Sequence, residues 1–140
     1  MISIVPFIGW LFSGCLKFLI NYVRFGQKAK EMVGNGGFPS THTTIVVSTL
    51  TVIGLKDGIY SDLFGLGVCV CVIIIIDALG IRKALGHHAR SINNLNKIFS
   101  VADKNHREKQ GHTKLEVLGG AVFGVLIGCA YFLILNQFFL

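Results

Sequence analysis

The stretch NGGFPSTHTTIVVSTLTVIGL, residues 35 to 55, runs from a glycine-rich turn through Pro-Ser-Thr-His into an apolar segment studded with hydroxyls. Ser40 or Thr41 can cap the helix that begins there. The first backbone N–H groups of that helix, together with its dipole, favour an anion at the same point. Gly34, Gly36 and Gly37 would let backbone approach a phosphate closely. The segment that follows, residues 42 to 55, is short for a membrane span, so it either begins a few residues earlier or sits deep in a bundle.

Three longer apolar runs surround it. Residues 2 to 23 are interrupted only by Ser3, Ser13, Lys17 and Asn21, residues 63 to 81 only by Asp77, and residues 115 to 139 by Glu116 and Asn136-Gln137. A spanning helix needs about 20 apolar residues. Only 14% of the chain is charged, against about 25% in a soluble domain. The expectation is an all-α, polytopic membrane helix bundle over residues 1–140: about four transmembrane helices and an amphipathic cytoplasmic helix. The first run has no preceding charge and no small-x-small cleavage site after it, so it reads as a retained helix rather than a signal peptide.

Four spans sort the loops into two sets. Residues 24–41 and 82–114 hold 11 of the 13 Lys and Arg residues. The positive-inside rule therefore puts these loops in the cytoplasm and both termini outside, in a plasma or inner membrane. Attraction to anionic headgroups accounts for most of these cations. Nucleic-acid binding is a poor reading, since no aromatic residues interleave with the charge. Within the second loop, Ala84, Leu85, Ala89, Ile92, Leu95, Ile98 and Phe99 recur at roughly helical spacing, which predicts an interfacial amphipathic helix. Residues 100 to 110 read as the flexible stretch. Cys15, Cys69, Cys71 and Cys129 all fall within predicted spans, and Cys69-x-Cys71 is not a zinc spacing. They read as packing residues, without disulfide or metal.

Three polar clusters stand at the cytoplasmic ends of the spans. The first is Pro39-Ser40-Thr41-His42. The second is DALGIRK, residues 77 to 83, where Asp77 is either a functional intramembrane carboxylate or the partner of Arg82 or Lys17 in a structural ion pair. The third is GHTKLEV, residues 111 to 117, where His112 and Glu116 share a helix face and the carboxylate can orient the imidazole. Each cluster alone is an ordinary helix end or polar pair. Together they place two histidines, a carboxylate and cations on one side of the membrane. That set suits phosphoryl transfer, in which one histidine attacks phosphorus, the other protonates the leaving oxygen and cations hold the remaining oxygens.

At these residues the chain resembles the divergent branch of the type-2 phosphatidic acid phosphatase family, within the superfamily that also contains vanadium-dependent haloperoxidases. GGFPSTHT is similar to that branch's G-G-M-P-S-S-H-S signature. DALGIRKALG is similar to its D-x-x-G-V-R-x-x-x-G block, and GHTKLEVLGG to its G-H-x-x-x-E-V-x-x-G block. Order and spacing agree across roughly residues 17 to 120. The resemblance implies that His112 is the nucleophile oriented by Glu116 and that His42 is the general acid. It implies that Ser40, Thr41, Gly37 and adjacent backbone hold phosphate, with Lys17, Arg82 and Arg107 as the proposed cations. The wider superfamily's Arg-Pro pair is absent, and its arginine six residues before the nucleophile is His106 here, beside Arg107. Its usual six-helix core is shortened to about four, which leaves room for a dimer, for a less enclosed site or for lost activity.

The reading that follows is an integral membrane phosphatase without cofactor or metal. It would act through a phosphohistidine intermediate at the cytoplasmic face on a lipid phosphate or diphosphate, such as phosphatidylglycerophosphate, phosphatidate or a polyprenyl phosphate. The alternative is a non-catalytic lipid-phosphate-binding protein or assembly subunit. A small transporter fits less well, because the polar residues cluster at one face instead of lining a path. The topology is tested by single cysteines in a cysteine-free background. Lys104→Cys should react only from the cytoplasmic side and Gly58→Cys only from the opposite side, and the reverse pattern would overturn the charge argument.

Overall fold

The structure is a computed structural model that describes residues 1–32, 37–101 and 105–139. Its regular elements are all helical: α1 (Val5–Phe25), α2 (Thr41–Asp57), α3 (Asp62–Leu79), α4 (Ile81–Ile98) and α5 (Lys114–Phe139), with short 3-10 turns at Ile2–Ile4 and Gly26–Met32. Among the described residues, three helical stretches, Ile2–Lys30, Asp62–Ile98 and Lys114–Gln137, are long and apolar enough to cross a membrane. The protein is a membrane helix bundle, as its composition required.

The short helix α2 lies at the centre, packed against α1, α3 and α5. Its 17 residues rise only about 25 Å, less than the ~30 Å hydrocarbon core. Neighbouring helices take the place of lipid around it. Thr43, Thr44 and Ser48 are completely buried, and Val52 almost so. The hydroxyls are accommodated by bonding back to carbonyls of the preceding turn: Ser48 and Thr49 donate to the Ile45 carbonyl and Thr51 to that of Val47. Among the described residues no buried side-chain polar atom lacks a hydrogen-bond partner.

The α2–α5 contact is set by small residues. Gly120, Gly124 and Gly128 recur every four residues and form one stripe on α5. Opposite them stand Ser40, Thr44, Ser48 and Thr51. A Cβ at Gly124 would sit 2.9 Å from the Thr44 carbonyl oxygen and 3.0 Å from the Ser48 nitrogen, and one at Gly120 would sit 2.6 Å from the Ser40 carbonyl oxygen. Backbones therefore meet with nothing between them. Close packing of this kind substitutes for the hydrophobic effect, which does not operate between helices in lipid. Thr44 Oγ1 lies 3.0 Å from the Ser40 carbonyl and 3.2 Å from that of Gly120, bridging the two helices.

Ser61 caps α3, accepting from the Phe64 N–H. That helix ends at Gly80, where the chain breaks direction and begins α4. Helix α4 buries Gly86, Ala89 and Asn93 on one side and leaves Ile81, Leu85, Ile92, Leu95 and Ile98 exposed. This is the amphipathic helix expected from its spacing.

A side chain at Gly124 should be tolerated poorly, since the atoms it would meet are α2 backbone and Val47 Cβ. Gly124→Leu should destabilise by about 1–3 kcal/mol or more, read as a lowered melting temperature in detergent. Gly65→Ala, where a Cβ meets nothing within 4 Å, should not lower it. Equal melting of the two variants would argue against the seam.

Candidate functional site

Two backbone hydrogen bonds bring the three sequence clusters together. The Ser40 N–H donates to the Glu116 carbonyl at 2.9 Å, joining the start of α2 to the first turn of α5. The His112 N–H donates to the Ala78 carbonyl at 3.0 Å, joining the approach to α5 to the end of α3. Gly111 makes the second bond accessible. It has φ +75, and a Cβ there would lie 2.8 Å from the Lys83 nitrogen. Both the left-handed conformation and the close approach require glycine.

His112 is 7% exposed. Its Nδ1 lies 3.1 Å from Glu116 Oε2, so an N–H there donates to the carboxylate and leaves Nε2 as the free nitrogen. The same Oε2 accepts from the Thr113 N–H at 3.0 Å, and Thr113 Oγ1 accepts from the Glu116 N–H at 3.2 Å. This is a reciprocal capping box, so Glu116 is locked by the helix start before it orients the histidine. Burial pushes the His112 imidazole below its ordinary range, and nearby Lys17 and Arg82 push the same way. The Glu116 hydrogen bond and charge oppose the shift without reversing it. The shift favours the neutral ring, whose lone pair is then on Nε2.

His42 is in the first turn of α2. Arg82 Nη1 lies 3.3 Å from its Nε2. In this geometry the guanidinium donates and that nitrogen accepts, so a neutral ring carries its proton on Nδ1. The Arg82 Nε donates to Asp77 Oδ2 across the Gly80 break. Asp77 is thus the partner of Arg82, which is one of the two ion pairs its position allowed.

A cavity of about 930 Å³ opens over these groups. Lys17, Thr41, His42, Arg82, Arg107 and His112 all line it, and so do residues along α1. Two other sequence candidates lie differently. Ser40 is completely buried, with its Oγ accepting from Thr43 Oγ1 at 2.9 Å and capping α2. Gly37 is described, with φ +150, but is not among the cavity-lining residues. Gly34 and Gly36 lie outside the described residues.

Part of the stretch expected to be flexible, residues 105–110, has no regular structure but makes contacts with α4, while 102–104 lie outside the described residues. Asn93, buried on α4, holds this part of the loop. Its Nδ2 donates to the His106 carbonyl and to Glu108 Oε1, and its Oδ1 accepts from the His106 N–H, each at 2.8 Å. Arg90 pairs with Glu108 at 3.3 Å. The hydrogen bond from Asn93, aided by Arg90, holds the Glu108 carboxyl below its usual range. Polar composition suggested freedom, but one buried amide supplies the missing partners. Sequence reading also passed over Thr113, although T-x-x-E is a recognisable capping signal, and Gln110, which reaches the cavity without any local signature.

Fold and site together define an integral membrane helix bundle that gathers two histidines, an orienting carboxylate and cations around one cavity. Residues 1–127 match the divergent PAP2 family, and the chain belongs to that family, as its three sequence blocks suggested. It is 31% identical over 146 aligned residues to the uncharacterized membrane protein YuiD of Bacillus subtilis (strain 168), with 93% of this chain and 90% of that protein covered. No solved structure matches the chain.

Asn93→Ala should remove the hydrogen bonds that its amide makes to the His106 backbone and to Glu108, a loss of about 0.5–1.5 kcal/mol for each typical bond. Proteolysis within residues 105–110 should then accelerate while α5 stays protected. Unchanged cleavage would remove Asn93 from that role.

Proposed function

We propose that the protein is a metal-independent membrane phosphatase acting on a lipid phosphate or diphosphate, of the phosphatidylglycerophosphate, phosphatidate or polyprenyl type, with its site on the cytoplasmic side. The observation that carries this reading is that His112 and His42 line one cavity with Lys17, Arg82 and Arg107. Membership of a PAP2-related family supports it.

In the proposed reaction His112 Nε2 attacks phosphorus. The N–P bond forms as the P–O bond to the leaving group breaks, and protonated His42 delivers its proton to the departing oxygen. Water then attacks the phosphohistidine and gives a proton to His42. The N–P bond breaks and inorganic phosphate leaves. Glu116 stabilises the charge that develops on His112 as it is phosphorylated. Lys17, Arg82 and Arg107 stabilise the equatorial oxygens, which suits them to a role in the transition state. In this scheme an incoming phosphate draws Arg82 away from His42 Nε2 and frees that nitrogen to hold the acid proton. Thr41 and the N–H groups opening α2 complete the anion site.

Purified protein should release phosphate from a lipid phosphate with chelator present, and vanadate should inhibit it. His112→Ala should abolish both turnover and a trapped phosphohistidine. His42→Ala should lose roughly 10²–10⁴-fold, and less for a good leaving group such as nitrophenol. Because burial lowers the His112 imidazole, the acid limb of kcat/KM that reports this residue should fall below the ordinary imidazole range. Binding of lipid phosphate without turnover would instead favour the non-catalytic reading. Full activity in His112→Ala would overturn the assignment of the nucleophile.

A further inference from the structure

The cavity is much larger than a phosphate needs, and its extra volume follows one face of α1. Leu11, Gly14, Lys17, Phe18 and Asn21 line it, a spacing of three and four residues that forms a single helix face. The face is graded. Its polar members, Lys17 and Asn21, stand toward the C-terminal end with Phe18 between them, and from Gly14 to Trp10 the face is wholly apolar. Trp10 borders this cavity and also a second, apolar hollow of about 360 Å³, whose other walls are Pro6, Phe7 and Ile45. The two hollows therefore follow each other along α1.

The dimensions fit one lipid chain. From Lys17 to Pro6 is eleven residues, or about 16 Å along a helix axis. That is close to half of the ~30 Å hydrocarbon core, the depth of one leaflet. Gly14 stands midway. A Cβ built there meets nothing within 4 Å, and its backbone is ordinary helix, so neither packing nor conformation calls for glycine. What the missing side chain leaves is open width in the tract. The outer faces of α3 and α5 are equally apolar, yet no residue of α3 or α5 lines the cavity around the histidines.

We propose that the α1 face running from Phe18 through Gly14 and Leu11 to Trp10 and Pro6 is a subsite for one hydrocarbon chain of the substrate, and that Gly14 sets the width this subsite accepts. The proposal rests on the phosphatase reading for what happens at its polar end. The chain itself is recognised by removing methylene surface from its competitors along a preformed apolar wall, while the cations fix the headgroup.

The test uses the full chain in phospholipid vesicles. The probe is a phosphatidate carrying a diazirine near the end of one acyl chain, compared with the matching diacylglycerol probe that lacks the phosphate. After irradiation the labelled peptide is identified by mass spectrometry. The phosphate-bearing probe should label residues 6–18, the uncharged probe should not concentrate there, and Gly14→Phe should lose the label. Equal labelling by both probes would mean ordinary boundary lipid, and labelling confined to α3 or to contacts between two copies would place the chain elsewhere. Either result overturns the proposal. A kinetic arm compares long-chain with short-chain phosphatidate. Gly14→Phe should lower the ratio of their kcat/KM values by about tenfold, the effect of displacing roughly two methylenes, and an unchanged ratio counts against Gly14 as the determinant. Melting temperature confirms that the variant folds. Labelling does not require turnover, so the failures are separable. Specific labelling without hydrolysis keeps the subsite and sinks the phosphatase, whereas hydrolysis without specific labelling does the reverse.

Discussion

Everything at the site depends on how closely α5 approaches α2. The glycine stripe at 120, 124 and 128 lets the two backbones touch, and this contact fixes where the first turn of each helix lies relative to the other. His42 rides on the first turn of α2, and Glu116 is in the first turn of α5. A larger residue at Gly120 would wedge the helices apart close to the point where the backbone bond from Ser40 to the Glu116 carbonyl forms. In lipid there is no hydrophobic gain from pressing helices together, so this van der Waals contact, with the Thr44 bridge to the Gly120 carbonyl, has to hold the pair.

The electrostatic arrangement follows from that contact. Lys17, Arg82 and Arg107 border one cavity, and such a cluster repels itself. Asp77 neutralises part of it by pairing with Arg82, and Glu116 neutralises another part beside His112. What remains is a site short of negative charge, held by groups that are individually well bonded. Each carboxylate also has a scaffolding task. Glu116 closes a capping box, and Asp77 fixes a guanidinium across the Gly80 break, so neither is free to swing toward the other's partner.

Much of this was legible because its determinants are local. Ser40 as a cap, the His112–Glu116 pair at a spacing of four, Asp77 with Arg82, and the amphipathic face of α4 all rest on residues within one or two turns of each other. The bundle itself was legible from charge depletion and run lengths. The parts that escaped are those whose partners are distant in sequence. Asn93 meets His106 and Glu108 only because the chain folds back over α4, and Gly86 permits that approach: a Cβ there would lie 2.5 Å from the Glu108 carbonyl oxygen. The glycine stripe of α5 has a regular period, but its meaning appears only once the hydroxyl side of α2 is placed against it. Ser40 shows the converse. Its local reading as a cap holds, and that same capping geometry turns the hydroxyl away from the cavity that neighbouring Thr41 and His42 line.

The shortness of α2 then acquires a physical reason. A helix facing lipid would have to span the full hydrocarbon thickness with apolar side chains, and Thr43, Thr44 and Ser48 would be costly there. Packed against three neighbours, α2 can be both short and rich in hydroxyls, because the face that carries Thr43, Thr44 and Ser48 is buried in protein. Its first turn carries Thr41 and His42, which line the cavity, so the positive end of its dipole lies beside that cavity. The hydroxyl-rich run that looked too short to be a span is therefore the element that brings Thr41 and His42, at an anion-favouring helix end, to the cavity that His112 also lines.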